Sequence, residues 1–199
     1  MVDKIRRVLP QEGQRFAALL TLAMAADPTT RWAAPDSLQY LNLSMAMISR
    51  FTGRIAIDDG TADVIGDFRG AALWHSPGVS ADIVAAHQLL SEFMPAEQME
   101  RVATLFAAMS DFHPREPHWH LRIIGVDPMC RNRGLGRKLM QHRLGLVDRE
   151  RGLAYLEATS ERSSKLYREF GFEIIGEISV PGSPKMFPML RRPVHSKRI

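Results

Sequence analysis

An arginine followed at fixed spacing by two glycines, Arg131-x-x-Gly134-x-Gly136, is the stretch of this 199-residue chain best suited to chemistry. Glycines ahead of an amphipathic helix leave backbone N–H groups uncovered where the helix dipole favours negative charge, so the turn reads as a phosphate cradle. Arg131, Arg133, Arg137 and Lys138 add charge that pairs with phosphate, although a solvated helix face explains any one of them equally well. Two better-known cradles do not fit. A dinucleotide fingerprint needs a third glycine where Leu139 stands, and a P-loop needs Gly-Lys followed by Ser or Thr, whereas Gly136 precedes Arg137-Lys138-Leu139. Upstream, strand alternation places His118, His120 and Arg122 on one face and Trp119, Leu121 and Ile123 on the other. An imidazole titrates near neutrality and suits a general base, which makes His120 a candidate. Two histidines on one strand without a Cys partner do not make a metal site, and none is expected. Cys130, with no His partner near it, is a passive thiol.

These groups need a strand, a turn and a helix in succession. Trp119, Leu121, Ile123, Ile124 and Val126 supply a buried strand from His118, closed by Pro128, which cannot donate to a ladder. Leu135, Leu139, Met140, Leu144 and Val147 mark one face of a helix to about Arg151, with Gly152 placed to cap it. Ala154 to Thr159 is then a strand, Glu161 to Phe170 a helix, Glu173 to Val180 a strand, and Met186 to Leu190 a last edge strand. The unit from the His118 strand to the Ala154 strand is expected to be parallel and right-handed. Ahead of it, helices are expected over Gln11 to Ala25 and Asp36 to Arg50, the second with Asp36 as N-cap. Arg54 to Asp58 and Val64 to Trp74 read as strands joined by a hairpin at Asp59-Gly60, with Gly66 and Gly70 disturbing the second. Helices from about Ser80 to Phe93 and from Ala96 to Met109 follow, divided by Pro95, and a loop carrying Pro114 and Pro117 leads into the His118 strand.

Length and a 45% hydrophobic content suit one well-filled domain, residues 1–192, with a loose basic tail at 193–199. No charged start precedes an apolar run as in a secretory signal, and apolar runs fall short of the ~20 residues that span a membrane. A single Cys excludes an intrachain disulfide, and the expected location is the cytoplasm. The net charge of +4 is concentrated in 131–143 and 191–198. A local cationic patch suits a small polyphosphate as well as a nucleic-acid backbone, but no recognition motif or stacking-aromatic pattern supports nucleic acid.

With the strand end Val126-Asp127-Pro128, the glycine turn resembles the acetyl-CoA motif of the GNAT superfamily of N-acetyltransferases. Downstream, Tyr155-Leu156-Glu157-Ala158-Thr159-Ser160 and Leu166-Tyr167-Arg168-Glu169-Phe170-Gly171-Phe172 resemble the family's next strand and its Tyr-x-x-x-Gly-Phe segment, so the resemblance covers residues 118–178. Asp27-Pro28, Arg31-Trp32, Gly70-Ala71-Ala72-Leu73-Trp74 and His118-Trp119 are more loosely similar to puromycin N-acetyltransferase-like proteins. The resemblance implies an α/β (α+β) fold: a single GNAT-like domain with a mixed, mostly antiparallel central sheet, splayed at the cofactor cleft near Gly125 to Pro128, and helices on both faces. It implies acetyl-CoA as the acetyl donor, its pantetheine arm along Ile124, Gly125 and Val126. The pyrophosphate would lie on the N–H groups of Arg131, Asn132, Arg133, Gly134, Leu135 and Gly136, with Arg137 beside them. Ser163 stands where many relatives have an Asn that contacts the cofactor arm, and its hydroxyl is shorter.

Acetyl transfer needs a neutral amine, a polarised carbonyl and a proton for the leaving thiolate. By position Tyr167 matches the family's acid, and a phenol of pKa about 10 can serve a thiolate of pKa about 8.5. The plainer reading is a core tyrosine beside Phe170 and Phe172. For the amine's proton the candidates are His120, directly or through water, and Glu157, as base or amine anchor; a buried Glu157 must be paired or protonated. Puromycin-acetylating relatives tend to have Tyr where His120 stands. The expected acceptor is a primary amine of a small molecule, attacked directly in a ternary complex, and a homodimer is a family-level expectation. The alternatives are a non-catalytic acyl-CoA-binding regulatory module and a nucleic-acid-binding module.

Overall fold

Apolar residues at strand and helix spacing place two helical layers on one sheet in the computed structural model, which describes residues 3–79 and 82–193. The strands are β1 (Ile5–Arg7), β2 (Ala62–Ile65), β3 (Gly70–His75), β4 (His118–Val126), β5 (Leu153–Ala158), β6 (Glu173–Ile174) and β7 (Phe187–Arg191), in the order β1-β2-β3-β4-β5-β7-β6. Among the described residues only the β4–β5 pair is parallel. The helices are α1 (Gly13–Ala23), α2 (Pro28–Ala33), α3 (Ser37–Ala46), α4 (Thr52–Asp58), α5 (Ile83–Ser91), α6 (Ala96–Ser110), α7 (Leu135–Arg149) and α8 (Glu161–Arg168). Phe16, Ala17 and Leu20 of α1 bury Val64, Ala71 and Leu73 on one face of the sheet. Leu135, Leu139, Met140, Leu144 and Val147 of α7 bury Ile65, Ala72, Trp74, Leu121 and Leu156 on the other. This is the mixed, mostly antiparallel α/β sheet with helices on both faces that the resemblance implies. No helix among the described residues is long and apolar enough to cross a membrane. Of the tail at 193–199, only Pro193 falls within the described residues.

Helix signals were the more legible ones. Asp36 caps α3 by accepting from the Gln39 N–H at 2.8 Å, and Pro95 separates α5 from α6. The segment from Arg54 to Asp58, read as a strand, is instead α4: Ala56 and Ile57 are buried together against α1, and Arg54 bonds Asp58 one turn on at 2.7 Å. Five residues are too few to distinguish the two periods, and packing decides. Asp59-Gly60 is therefore the exit of a helix, with Gly60 at φ +67°. The hairpin lies at Gly66–Arg69, splitting the single strand expected from Val64 to Trp74 into β2 and β3. Strand β7 is not an edge, because it pairs with both β5 and β6. The expected Glu173 to Val180 strand reduces to two residues and an isolated Ile178–Met186 bridge. At the end of α7 the left-handed residue is Arg151, φ 52°, rather than Gly152. Gly152 matters for space, since a Cβ there would lie 3.1 Å from the Trp119 ring.

One irregularity of β4 governs the site. Trp74 pairs with Leu121 and Leu73 with Ile123, so Arg122 is an extra residue and the strand is bulged there. Alternation restarts after it. Trp119 and Leu121 face α7 as expected, but Ile123 joins the α1 face, while Ile124 and Val126 turn to α7. Gly125 lies under α1, where an added Cβ would stand 2.5 Å from the Ala23 Cβ. Gly125→Ala is expected to push α1 off the sheet and cost about 1–3 kcal/mol, a fall in Tm of about 2–12 °C. A Tm equal to that of the unmodified chain would show that α1 is not seated on β4.

Candidate active site

β4 and β5 pair only over His118–Leu121 and Leu153–Leu156. Beyond this, Ile123–Val126 pairs with β3 alone and Glu157–Ala158 with β7 alone, so the sheet opens between them. The opening begins at Arg122, earlier than Gly125 to Pro128, because the bulge bends β4 away from its parallel partner.

The glycine turn stands at the far end of this opening. Asp127 orders its start by accepting from the Met129 N–H at 2.8 Å. Asn132 (φ 62°) and Gly134 (φ 72°) then adopt left-handed conformations, and α7 follows directly. Among the described residues no hydrogen bond uses the backbone N–H groups of Arg131, Asn132, Arg133, Gly134, Leu135 or Gly136. Among the described residues nothing lies within 4 Å of the position a Gly134 Cβ would take. Unpaired amides around open space at a helix N-terminus form a concave anion site. The surrounding charge is more committed than the sequence suggests. Arg137 pairs with Glu169, Lys138 reaches Asp3 at 2.9 Å, and Arg131 donates to the Ala23 carbonyl at 3.2 Å. Arg143, counted in the cationic stretch, is buried against Asp63. Arg133 has no carboxylate partner among the described residues. The Ser163 hydroxyl donates to the Ser160 carbonyl at 2.9 Å at the start of α8.

On the α1 side of the opening, His120 and Glu157 meet. The His120 Nε2 lies 2.8 Å from Glu157 Oε2, with only 6% and 7% of the two side chains exposed. Burial, acting against the Glu157 charge, pushes the His120 pKa down to about 4. Burial works to raise Glu157, but the facing His120 and the hydrogen bond between them more than reverse it and hold the carboxylate ionised. At neutral pH the pair is a neutral imidazole donating Nε2–H to a carboxylate, which leaves the Nδ1 lone pair free. Tyr155, the register partner of His120, stacks edge-on at 5.0 Å. Its hydroxyl is buried without a hydrogen-bond partner among the described residues. Burial and the Glu157 charge push its pKa up. Tyr167 of α8 packs against Phe172 at 6.2 Å and is 9% exposed. Its hydroxyl makes no hydrogen bond among the described residues, and burial, then the nearby Asp27, raises its pKa.

A sequence profile of the acetyltransferase (GNAT) domain family matches residues 91–174, which contain β4, the glycine turn, β5 and α8. Over these residues the chain is similar to GNAT acetyltransferase domains. Its class of activity is N-acetyl transfer. It is 24% identical over 180 residues to an N-acetyltransferase of Schizosaccharomyces pombe, covering 84% of this chain and 73% of that protein. It is 27% identical over 125 residues to the peptidyl-lysine N-acetyltransferase YjaB of Salmonella typhimurium, covering 53% and 79% respectively. The crystal structure of a histone acetyltransferase HPA2 and related acetyltransferase from Corynebacterium glutamicum superposes with a TM-score of 0.73 at 25% identity, covering all of both chains.

Three contributions to the site escaped sequence reasoning. His113 comes from the loop before β4 to lie 5.2 Å, centroid to centroid, from His120. Its only signal is its place beside Pro114, which shortens the reach of the loop. Tyr155 was visible in the strand motif, but its role depends on the face it takes. Asp27 does more than end α1: it caps α2 at 2.9 Å from the Thr30 N–H and accepts a hydrogen bond from Thr159 beyond β5. That contact joins loops 132 residues apart.

Proposed function

We propose that this chain transfers the acetyl group of acetyl-CoA to a primary amine of a small molecule by direct attack. The observation that carries the reading is the concave run of unpaired amides from Arg131 to Gly136 at the end of the β4–β5 opening, whose inner wall holds the His120–Glu157 pair. The amides would bind the pyrophosphate and the freed β4 edge at Ile124, Gly125 and Val126 the pantetheine arm. Ser163, with its hydroxyl turned to Ser160, contributes less than an Asn would. The amine nitrogen forms a bond to the thioester carbonyl carbon as the carbon–sulfur bond breaks. His120 Nδ1 takes the proton that the amine loses, the Glu157 carboxylate stabilises the resulting imidazolium, and Tyr167 offers its O–H to the departing sulfur. The loose similarity of Asp27-Pro28 and Arg31-Trp32 to puromycin N-acetyltransferase-like proteins supports a small amine as acceptor.

Acetyl-CoA at a hundredfold over its Kd is expected to stabilise the fold by about 2.7 kcal/mol, raising Tm by about 5–10 °C. In Gly134→Val this rise is expected to vanish: a β-branched side chain is strained at φ +72° and fills the cradle. No rise in the unmodified chain rejects the reading, and a rise retained in Gly134→Val shows the turn to be misassigned. Thiol release over a panel of alkylamines, arylalkylamines and a lysyl peptide identifies the acceptor class. Turnover with the lysyl peptide alone would move the acceptor from small molecules to proteins.

A further inference from the structure

His113, His118 and His120 converge from the 111–117 loop and β4, with one ring nitrogen of each within 4.8 Å of the other two. Their ring centroids stand 4.7, 5.2 and 6.1 Å apart. Three imidazoles on one tetrahedral zinc ion, at a Zn–N distance of about 2.05 Å, have centroids about 5 Å apart. The rings thus stand within about an ångström of the spacing that a common ion needs. In two of them a hydrogen bond fixes which ring nitrogen keeps its lone pair. His118 Nδ1 lies 2.8 Å from the Glu116 carbonyl oxygen, which can only accept, so Nδ1 carries the proton and Nε2 the lone pair. His120 Nε2 faces Glu157, so there the lone pair is on Nδ1. Holding one imidazole nitrogen with a carbonyl or carboxylate, so that the other is free to ligate, is how proteins orient metal-bound histidines. A further observation is independent of these two. Tyr155 sets its ring edge-on to all three imidazoles, at 5.3, 5.7 and 5.0 Å, and its hydroxyl is buried without a partner among the described residues.

We propose that His113, His118 Nε2 and His120 Nδ1 bind a divalent transition-metal ion of the zinc class, with a fourth position left to water. Glu157 supplies the compensating charge, against the Arg122 guanidinium on the same side of the sheet. A tetrahedral ion brings its nitrogens to roughly 3.3 Å of one another. The cluster therefore closes by about an ångström on binding, and His113, exposed on its loop, supplies the movement. Pro114 and Pro117 hold the loop short and limit the entropy lost on closure. The proposal touches the function above at one atom, His120 Nδ1, which cannot both ligate an ion and accept the amine's proton. Ion binding and acetyl transfer exclude each other, and zinc is expected to inhibit.

The test is titration of the metal-stripped chain with zinc chloride alone by calorimetry, and with cobalt chloride alone by visible absorption. One equivalent is expected to bind, with the intense visible bands of four-coordinate cobalt. Affinity is expected to fall at least about tenfold in His113→Ala and by about 10–100-fold in Glu157→Gln. It is expected to be unchanged in His87→Ala, an exposed histidine of α5. Because His113 is exposed, its variant keeps the fold, which an unchanged Tm verifies. Failure to bind zinc at millimolar concentration, or equal affinity in His113→Ala, overturns the site. The two proposals fail separately: zinc that binds without slowing acetyl transfer leaves the metal site standing and removes His120 as the base. Loss of transfer in His120→Asn by a chain that binds no zinc does the reverse.

Discussion

Tyr167→Phe is expected to slow the acetyl-transfer step by about 10²–10⁴-fold, with acetyl-CoA binding intact. The substitution is unusually clean here. The Tyr167 ring keeps its packing against Phe172 as a phenylalanine, and removing a hydroxyl that has no hydrogen bond among the described residues orphans no partner. The size of the loss reports what the hydroxyl does. Burial keeps the phenol above its ordinary pKa and so protonated, the form that can donate. A phenol raised above about 10 gives its proton reluctantly to a thiolate of about 8.5. A hydrogen bond to the developing charge is thus the main contribution, which favours the lower end of the range. Single-turnover thiol release is the appropriate measurement, since slow product release would hide the effect in kcat. Equal single-turnover rates in the two proteins would remove Tyr167 from the mechanism, and a lost acetyl-CoA melting shift would show that it holds the cofactor instead.

How far the sequence carried the reading can be seen along β4. Its apolar run, its proline stop and the glycines beyond are local features, and each survives in the structure as read. Which face a residue takes is local only until the pairing slips. The bulge at Arg122 depends on the register against β3, 45 or more residues earlier in the chain, and it moves Ile123 to the α1 side. His120 lies before the bulge and stays where alternation put it; its partner Glu157 is 37 residues on and was named for its own strand, not for the pair. His113 lies in a loop, where no periodicity fixes direction, so nothing local announces its approach to His120. The same limit explains the errors in the first half of the chain. Arg54 to Asp58 is a short amphipathic piece whose type is decided by α1, and β1 is three residues whose only reason to be a strand is the β2 edge. Charge was the least legible property. The count of basic residues near the turn is correct, yet Arg137, Lys138 and Arg143 are each turned to a carboxylate from a distant element.

The last of those pairs fixes the helix that carries the cradle, and breaking it is expected to have the largest effect on stability. Arg143 of α7 meets Asp63 of β2 through Nε at 3.0 Å and Nη2 at 2.8 Å, with 3% and 1% of the side chains exposed. Its guanidinium also lies 5.5 Å over the Trp119 ring. Removing either charge strands the other in the core, so Asp63→Leu and Arg143→Leu are each expected to cost about 3–5 kcal/mol, or about 6–20 °C in Tm. The pair itself contributes far less than those losses suggest. Asp63 Oδ1 has no hydrogen-bond partner among the described residues, and His142 Nε2 stands 4.0 Å from it. Burial outweighs the Arg143 charge and leaves the Asp63 pKa raised. Desolvation is therefore only partly recovered, and the double variant Asp63→Leu/Arg143→Leu is expected to lie within about 1–2 kcal/mol of the unmodified chain. Denaturant unfolding of all four proteins completes the cycle. Losses that simply add in the double variant would show two independent packing sites rather than an ion pair. In the single variants the acetyl-CoA melting shift should shrink as well, since α7 begins at Leu135 inside the cradle and Arg143 is its tie to the sheet beneath.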